Sequence, residues 1–293
     1  MTNKQSPLAE PDWLQKKRQL ATLLQARFPT VPGQEKWLPW QQTANHQSRG
    51  WLRHTGTYVA LPLAAAVQNY SELLQENLME KAIRWQDNQL FAAHLANIDG
   101  GQFVYVPDDC HLTAPVEIAG QGQLANPHNL IIVGAHSRVT IKEHLMVKSA
   151  QGMFAGTEIL LGTGAKVDYQ QENDLRAPAV YAAVHAYQAH GAHLSSTLVV
   201  NNAGDLTLST SDFLDGAAST WTVKVSLDPG KTGRLHFHPL VDGFGQGSHA
   251  DLTTRVNDLA AGQVELTPFR TGSGEPLSLT STVIKQSSGV GAP

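Results

Sequence analysis

The sequence predicts a mainly β protein, a right-handed parallel β-helix preceded by a helical N-terminal region. Three observations carry that prediction. The hydrophobic period drops from about 3.6 residues to 2 near Phe103. The segments that follow are short and punctuated by turn residues. Glycine-led turns ("GAH" at 134, "GAK" at 164, "GAH" at 191, "GDL" at 204, "GAA" at 216) precede strand-like runs, and the last three are spaced by 13 and 12 residues. Units of that length suit the half-rung of a solenoid whose coils stack row on row. No long helical pattern interrupts the stretch after Phe103, which excludes a doubly wound α/β sheet or a β/α barrel. A β-sandwich is the alternative. It favours tight Asn-Gly or Asp-Gly hairpins, whereas this chain has no Asn-Gly and has Asp-Gly only at 99, 215 and 242.

The elements follow in order. From Asp12 to Phe28 the residues Trp13, Leu14, Leu20, Leu23 and Leu24 fall at helical spacing, with Pro11 suited to a first turn and Pro29 ending the pattern. An irregular stretch then carries Trp37, Trp40 and Trp51, expected to pin loops onto a core, with ligand stacking as the alternative. A second helix is predicted from an N-cap at Ser71, running through Leu73, Leu74, Leu78, Ala82, Ile83 and Trp85. A third, Leu90 to Leu95, closes at "DGG". Strands are predicted from Phe103 onward. Their alternating rows include Val139, Ile141 and Glu143, then Leu194, Leu198 and Val200, then Leu206 and Leu208. Further on come Trp221, Val223, Val225 and Leu227, Leu235 and Phe237, and the run that ends at Ile284. The expected organisation is a helical region at 1–100, a β-helix at 101–285 and a flexible tail at 286–293.

Composition narrows function. The 293 residues carry 21 Lys+Arg and a net charge of −4, without a basic run, which argues against nucleic acid or an anionic membrane as the main partner. One cysteine excludes an internal disulfide framework and fits a reducing compartment. The N-terminus has no apolar signal core, and no run of 18 apolar residues occurs. The expectation is a cytoplasmic protein.

The runs "DNQLFAAHLANIDGGQFVYVPDDCHLTAPVEI" (87–118), "NLIIVGAHSRVTIKEH" (129–144) and "TEILLGTGAKVDYQQEN" (157–173) together resemble the core of the SufB/SufD family of iron–sulfur cluster assembly proteins. "QEKWLPW" (34–40) is similar to an N-terminal element of the SufD branch. The resemblance extends from about residue 8 to about residue 285. It implies a right-handed parallel β-helix and a non-enzymatic role as partner of a SufB-type scaffold and a SufC-type ATPase. Family members continue past the rungs with a cysteine- and histidine-bearing segment near "C-S-H-G-A" and with helices that bind the ATPase. The sequence has no match to either, so no catalytic, cofactor or metal residue is carried over. The single cysteine sides with SufD, and the resemblance implies that the iron–sulfur cluster is handled by the complex, with no cofactor bound by this chain alone. Two other functions stay open: a β-helical carbohydrate-active enzyme, and a homodimeric interaction module.

Several residues are candidates for chemistry. Cys110 and His111 are adjacent on an extended segment, so they face opposite ways and cannot share a metal. Asp108 and Asp109 also disfavour a thiolate. His236 and His238 share one strand face and fit two of the positions a zinc or iron site needs, with His249 or Asp242 as a third. The competing reading is a solvent-facing pair opposite Leu235 and Phe237. His185, His190 and His193 form a second group with the same two readings. "GFGQG" (243–247) and "GTGAK" (162–166) lack the spacing and flanking elements of a phosphate loop and read as turns. Glu172 and Asp174 lack a cleft. The C-terminal rungs, about 250–285 with Val264, Leu266, Leu277, Leu279 and Val283 on alternating rows, are expected to form a dimer interface.

Overall fold

A computed structural model describes residues 10–37, 53–54, 57–202, 204–227, 233–257, 263–267, 270–271 and 278–286. The described residues include four helices, all before residue 98: α1 (Asp12–Leu24), α2 (Leu63–Asn69), α3 (Ser71–Asn77) and α4 (Gln89–Asn97). The strands are β1 (Arg53–His54), β2 (Val59–Pro62), β3 (Gln102–Val106), β4 (Val116–Gln123), β5 (His128–Val133) and β6 (Arg138–Lys148). They continue with β7 (Met153–Leu161), β8 (Lys166–Arg176), β9 (Ala179–Gln188), β10 (His193–Asn202), β11 (Asp205–Leu214) and β12 (Thr220–Leu227). The last are β13 (Arg234–Gly243), β14 (His249–Asn257), β15 (Gln263–Leu266), β16 (Arg270–Thr271) and β17 (Ser278–Gln286).

From β3 onward successive strands alternate between two parallel sheets. The first runs β1-β2-β3-β5-β7-β9-β11-β13-β15, with β16 also on β13, and the second runs β4-β6-β8-β10-β12-β14-β17. This is a β-solenoid of about six turns, as the sequence predicted. The register fixes the repeat: Arg138 pairs Lys166, Lys166 pairs His193, His193 pairs Thr220 and Thr220 pairs His249. The 12- and 13-residue spacings are half-turns, with Gly191 and Gly216 in corners on one side and Gly204 in a corner on the other.

Those corners explain the repeated small residues. A Cβ on Gly216 would lie 2.1 Å from backbone atoms of His190, and one on Gly245 would lie 2.2 Å from those of Gly216, because each corner stacks directly on the one before. Just beyond, each turn needs one left-handed residue: His136 (φ 55°), Gly164 (66°), Gly191 (64°), Ala218 (58°) and Gly247 (74°).

The interior is filled by the predicted rows, including Val139, Ile141, Leu194, Leu198, Trp221, Val223, Val225, Leu235 and Phe237. A second core lies outside the solenoid, where the helices cover the outer face of the first sheet. There Leu14, Ala21, Leu74, Leu90, Phe91 and Leu95 pack against Phe103, Leu130, Phe154, Leu160 and Tyr181. The N-terminal region differs from expectation in three ways. β1 and β2 add antiparallel strands to β3, so the region is not purely helical. The first helix ends in a 3-10 turn, Gln25–Arg27. The second predicted helix forms only as α3, with the unpredicted short helix α2 before it, and Ser71 is not its cap: its hydroxyl instead accepts a hydrogen bond from Trp13 Nε1 at 2.7 Å. The chain leaves helix after Asn77, so Leu78, Ile83 and Trp85 are buried from a loop. Asn88 caps α4 by accepting from the Phe91 N–H. Trp37 is buried edge-on to Tyr181, as expected of a pinning residue. Trp40, Trp51 and all of the tail except Gln286 lie outside the described residues.

Candidate functional site

The inward rows are not wholly apolar. Glu143, between Ile141 and Leu145 on β6, points into the solenoid. Its carboxylate accepts hydrogen bonds from Thr157 Oγ1, Tyr169 Oη and Gln171 Nε2, each at 2.9 Å, and from Asn173 Nδ2 at 2.8 Å. Four donors replace the water that burial removes, and this is what lets a carboxylate sit in the core. Burial, and then the neighbouring Glu143, push the Tyr169 phenol well above its usual range. Further along the interior, Gln188 Nε2 donates to Asp212 Oδ2. Asp212 Oδ1, Gln188 Oε1 and Thr210 Oγ1 are buried without a hydrogen-bond partner among the described residues. Burial raises the Asp212 carboxyl to about 8, against the lowering effect of the hydrogen bonds from Gln188 and the Phe213 N–H.

A second buried polar group joins the helical cover to the first sheet. Glu158, on the outer side of β7, accepts the N–H groups of Met79 (2.7 Å) and Ile83 (2.8 Å), which holds the loop after α3 against the sheet. Its Oε2 also meets His128 Nε2 at 3.0 Å, and His128 Nδ1 faces His94 Nε2 of α4 at 3.0 Å. His94 Nδ1 meets Asn126 Oδ1 at 3.1 Å, and its ring stacks on Phe154 at 3.9 Å. Asp99 holds the turn that carries Asn126, accepting the N–H groups of Ala125 and Asn126. Burial, then the nearby His128, push His94 well below the usual imidazole range. His185 on β9 meets Ala82 O (3.3 Å) and Ser209 Oγ (2.9 Å), and burial lowers it to about 4.

The residues singled out from sequence do not converge. Cys110 is partly buried against the solenoid interior, with Sγ 3.4 Å from Thr57 O, while His111 meets His136 O at 3.1 Å. His236 and His238 do share the outer face of β13, their rings parallel to within 8° at 6.4 Å, opposite the buried Leu235 and Phe237. His236 pairs with Glu265 at 2.8 Å, and His238 meets Thr267 at 2.6 Å. Asp242 lies further along the same strand and His249 begins β14 in the other sheet. Among the described residues no group of three or more His, Cys, Asp or Glu is arranged to hold a metal. His185 lies under the helical cover, and His193 meets Thr220 at the start of β10, so these two do not cluster. The 162–166 and 243–247 stretches are the corners after β7 and β13. Asp174 is tied to Arg176 at 2.6 Å on the outer face of β8.

Sequence reasoning missed His94, His128 and Glu158. The available signal was Glu158 inside the apolar run "TEILL" and His128 opening "HNLIIV", polar residues where a parallel strand buried on both faces has no water to offer.

The C-terminal end is open among the described residues. Val283 of β17 pairs with Thr254, a buried inward position of β14, yet Val283 is 49% exposed. Among the described residues no further rung is stacked on this inward-row valine. Leu266 is half-buried against the interior, and the register places Val264 and Leu279 on the inward rows beside Leu235 and Ala250. The side chains of Val264, Leu277 and Leu279 lie outside the described residues.

Comparison with known proteins agrees with this architecture. Residues 116–256 match the family model described as SUF system FeS cluster assembly, SufBD core domain. The chain is 28% identical over 142 residues to the iron–sulfur cluster assembly protein SufD of Bacillus subtilis (strain 168), a match covering 46% of this chain and 32% of that relative. The matched span starts at β4 and ends within β14, so it coincides with the stacked rungs. The stacked rungs are thus similar to a SufBD core domain, and over that span the chain is SufD-like.

Proposed function

We propose that this protein is a non-enzymatic component of cytoplasmic iron–sulfur cluster assembly that pairs with a SufB-type scaffold, in a complex that also contains a SufC-type ATPase. The observation that carries this reading is the family match across the rungs, 116–256. The open end supplies the means of pairing. Strand edges without a partner among the described residues and an exposed inward valine favour continuation of both sheets into a second solenoid. In isolation a second copy of this chain takes the same place. Cluster chemistry belongs to the assembled complex, because a cluster takes three or four ligands, usually thiolates, and this chain offers only the partly buried Cys110. No described helix is long and apolar enough to cross a membrane. The test is affinity purification of the tagged chain from its native host. A SufB-type protein should co-purify in near-equal amount, and its absence from the eluate together with unimpaired cluster enzymes in a deletion strain would refute the reading.

A further inference from the structure

The buried series Asn126–His94–His128–Glu158 lies outside the matched function and spans the joint between the helical cover and the solenoid. Its four members come from the turn before β5, from α4, from β5 and from β7. Both rings are buried, as is Glu158. Hydrogen-bond directions fix how many protons it holds. Asn126 Oδ1 and the Glu158 carboxylate both accept, so the outer nitrogens, His94 Nδ1 and His128 Nε2, must donate. The inner nitrogens face each other at 3.0 Å, and only one of them can carry a hydrogen. With the Asn126 amide oxygen turned towards His94, three protons then occupy the four ring nitrogens, one more than a neutral pair carries.

We propose that this series is a single-proton latch that holds the helical cover on the solenoid and opens when a second proton enters. A fourth proton puts two N–H groups nose to nose and two adjacent cations in a buried site. The cheaper outcome is for α4 to lift away and let His94 reach water. The surrounding groups act in the same direction. Arg18 of α1 donates to the carbonyls of Leu95, Ala96 and Ile98 at the end of α4, which places another cation close by, itself paired with Glu10. His185 on β9 is the next buried imidazole under the cover. In the loop after α3, Glu80 is engaged by Lys17, Lys81 lies over Tyr187, and Arg84 pairs with Asp87, so none of these offsets the added charge. Asp99 is occupied by the N–H groups of Ala125 and Asn126.

His94 is held below its unfolded value, so the open form takes up a proton that the closed form refuses, and closure weakens as pH falls below about 6.5. The experiment is hydrogen exchange by mass spectrometry on the full chain from pH 7.5 to pH 4.5, expressed as protection factors, together with imidazole NMR. Protection in α4 and residues 78–84 should fall at least tenfold on acidification while β8 and β10 stay protected. His94→Gln, which accepts from His128 but takes no proton, should abolish or strongly reduce the fall. NMR of the unmodified chain at pH 7 should show one charged and one neutral ring in the pair. Loss of protection in cover and solenoid together, an unchanged profile in His94→Gln, or two neutral rings at pH 7 would each overturn the latch.

Discussion

The two sheets share one repeat but meet different surroundings. In the second sheet, β6 alternates between buried residues and exposed or half-buried ones, the pattern of a strand with one wet face. In the first sheet, every residue of β7 is buried, and all but one of β9, because the helices cover the outer face. The same backbone geometry therefore tolerates sequence very differently on its two sides. The covered outer face behaves as a core, and the bare one as a surface.

A large effect should separate these faces directly. Phe154 projects from β7 into the cover, fully buried and stacked on His94 and Tyr181. Phe154→Ala should destabilise by about 3–5 kcal/mol, the range for large-to-small changes at buried aromatics. Thr197→Ala, on the outer side of β10, should stay within about 0.5 kcal/mol. Urea unfolding of both variants measures the contrast.

A second contrast sets the interior against the cover. Asp212 is raised, so the folded state binds a proton that the unfolded state releases. The stability it contributes is present at low pH and declines as pH rises from about 4 towards about 8, whereas the cover weakens in acid. A neutral Asp212 also supplies the donor that the partnerless Gln188 Oε1 calls for. Asp212→Asn should remove the alkaline decline and stabilise the protein by about 5 kcal/mol at pH 8.5 but by only about 1–2 kcal/mol at pH 5. Thermal melts at the two pH values measure this, and equal shifts at both would show that the carboxyl is not neutral in the core.

The smallest effect belongs to the corners. Ala218 occupies the left-handed position that glycine fills in three of the neighbouring turns. Ala218→Gly should stabilise by about 1 kcal/mol, the strain relieved slightly exceeding glycine's added unfolded-state entropy. A melting temperature at or below that of the parent would contradict the strain.

These differences also mark what sequence could disclose. The solenoid was legible because each rung repeats the same alternation: Leu194, Trp221, Leu235 and their neighbours face inward wherever they recur. The covered face was not. "MFAGTEILL" and "AVYAAVHAYQ" are continuous runs whose second partner is a set of helices distant in sequence, and no periodicity states what lies on the far side. The extra helix α2 and the break after Asn77 escaped for a related reason. The helical pattern of Leu78, Ile83 and Trp85 is overridden by Glu158, which binds the N–H groups of Met79 and Ile83 from the sheet. Of the candidate site residues, the outward pairing of His236 and His238 followed from strand alternation. That neither Asp242 nor His249 joins them depends on the solenoid sending Asp242 along the strand and His249 to the other sheet.

The most direct test of the account concerns the open end, where it places the partner. Val283 is exposed and lies far from the helical cover, so Val283→Lys leaves the packed rungs intact. Association of the purified chain with a SufB-type protein, measured by calorimetry with light scattering, should weaken at least tenfold in this variant while the melting temperature is unchanged. Undiminished binding by Val283→Lys, or no association of the parent chain at high micromolar concentration, would contradict it.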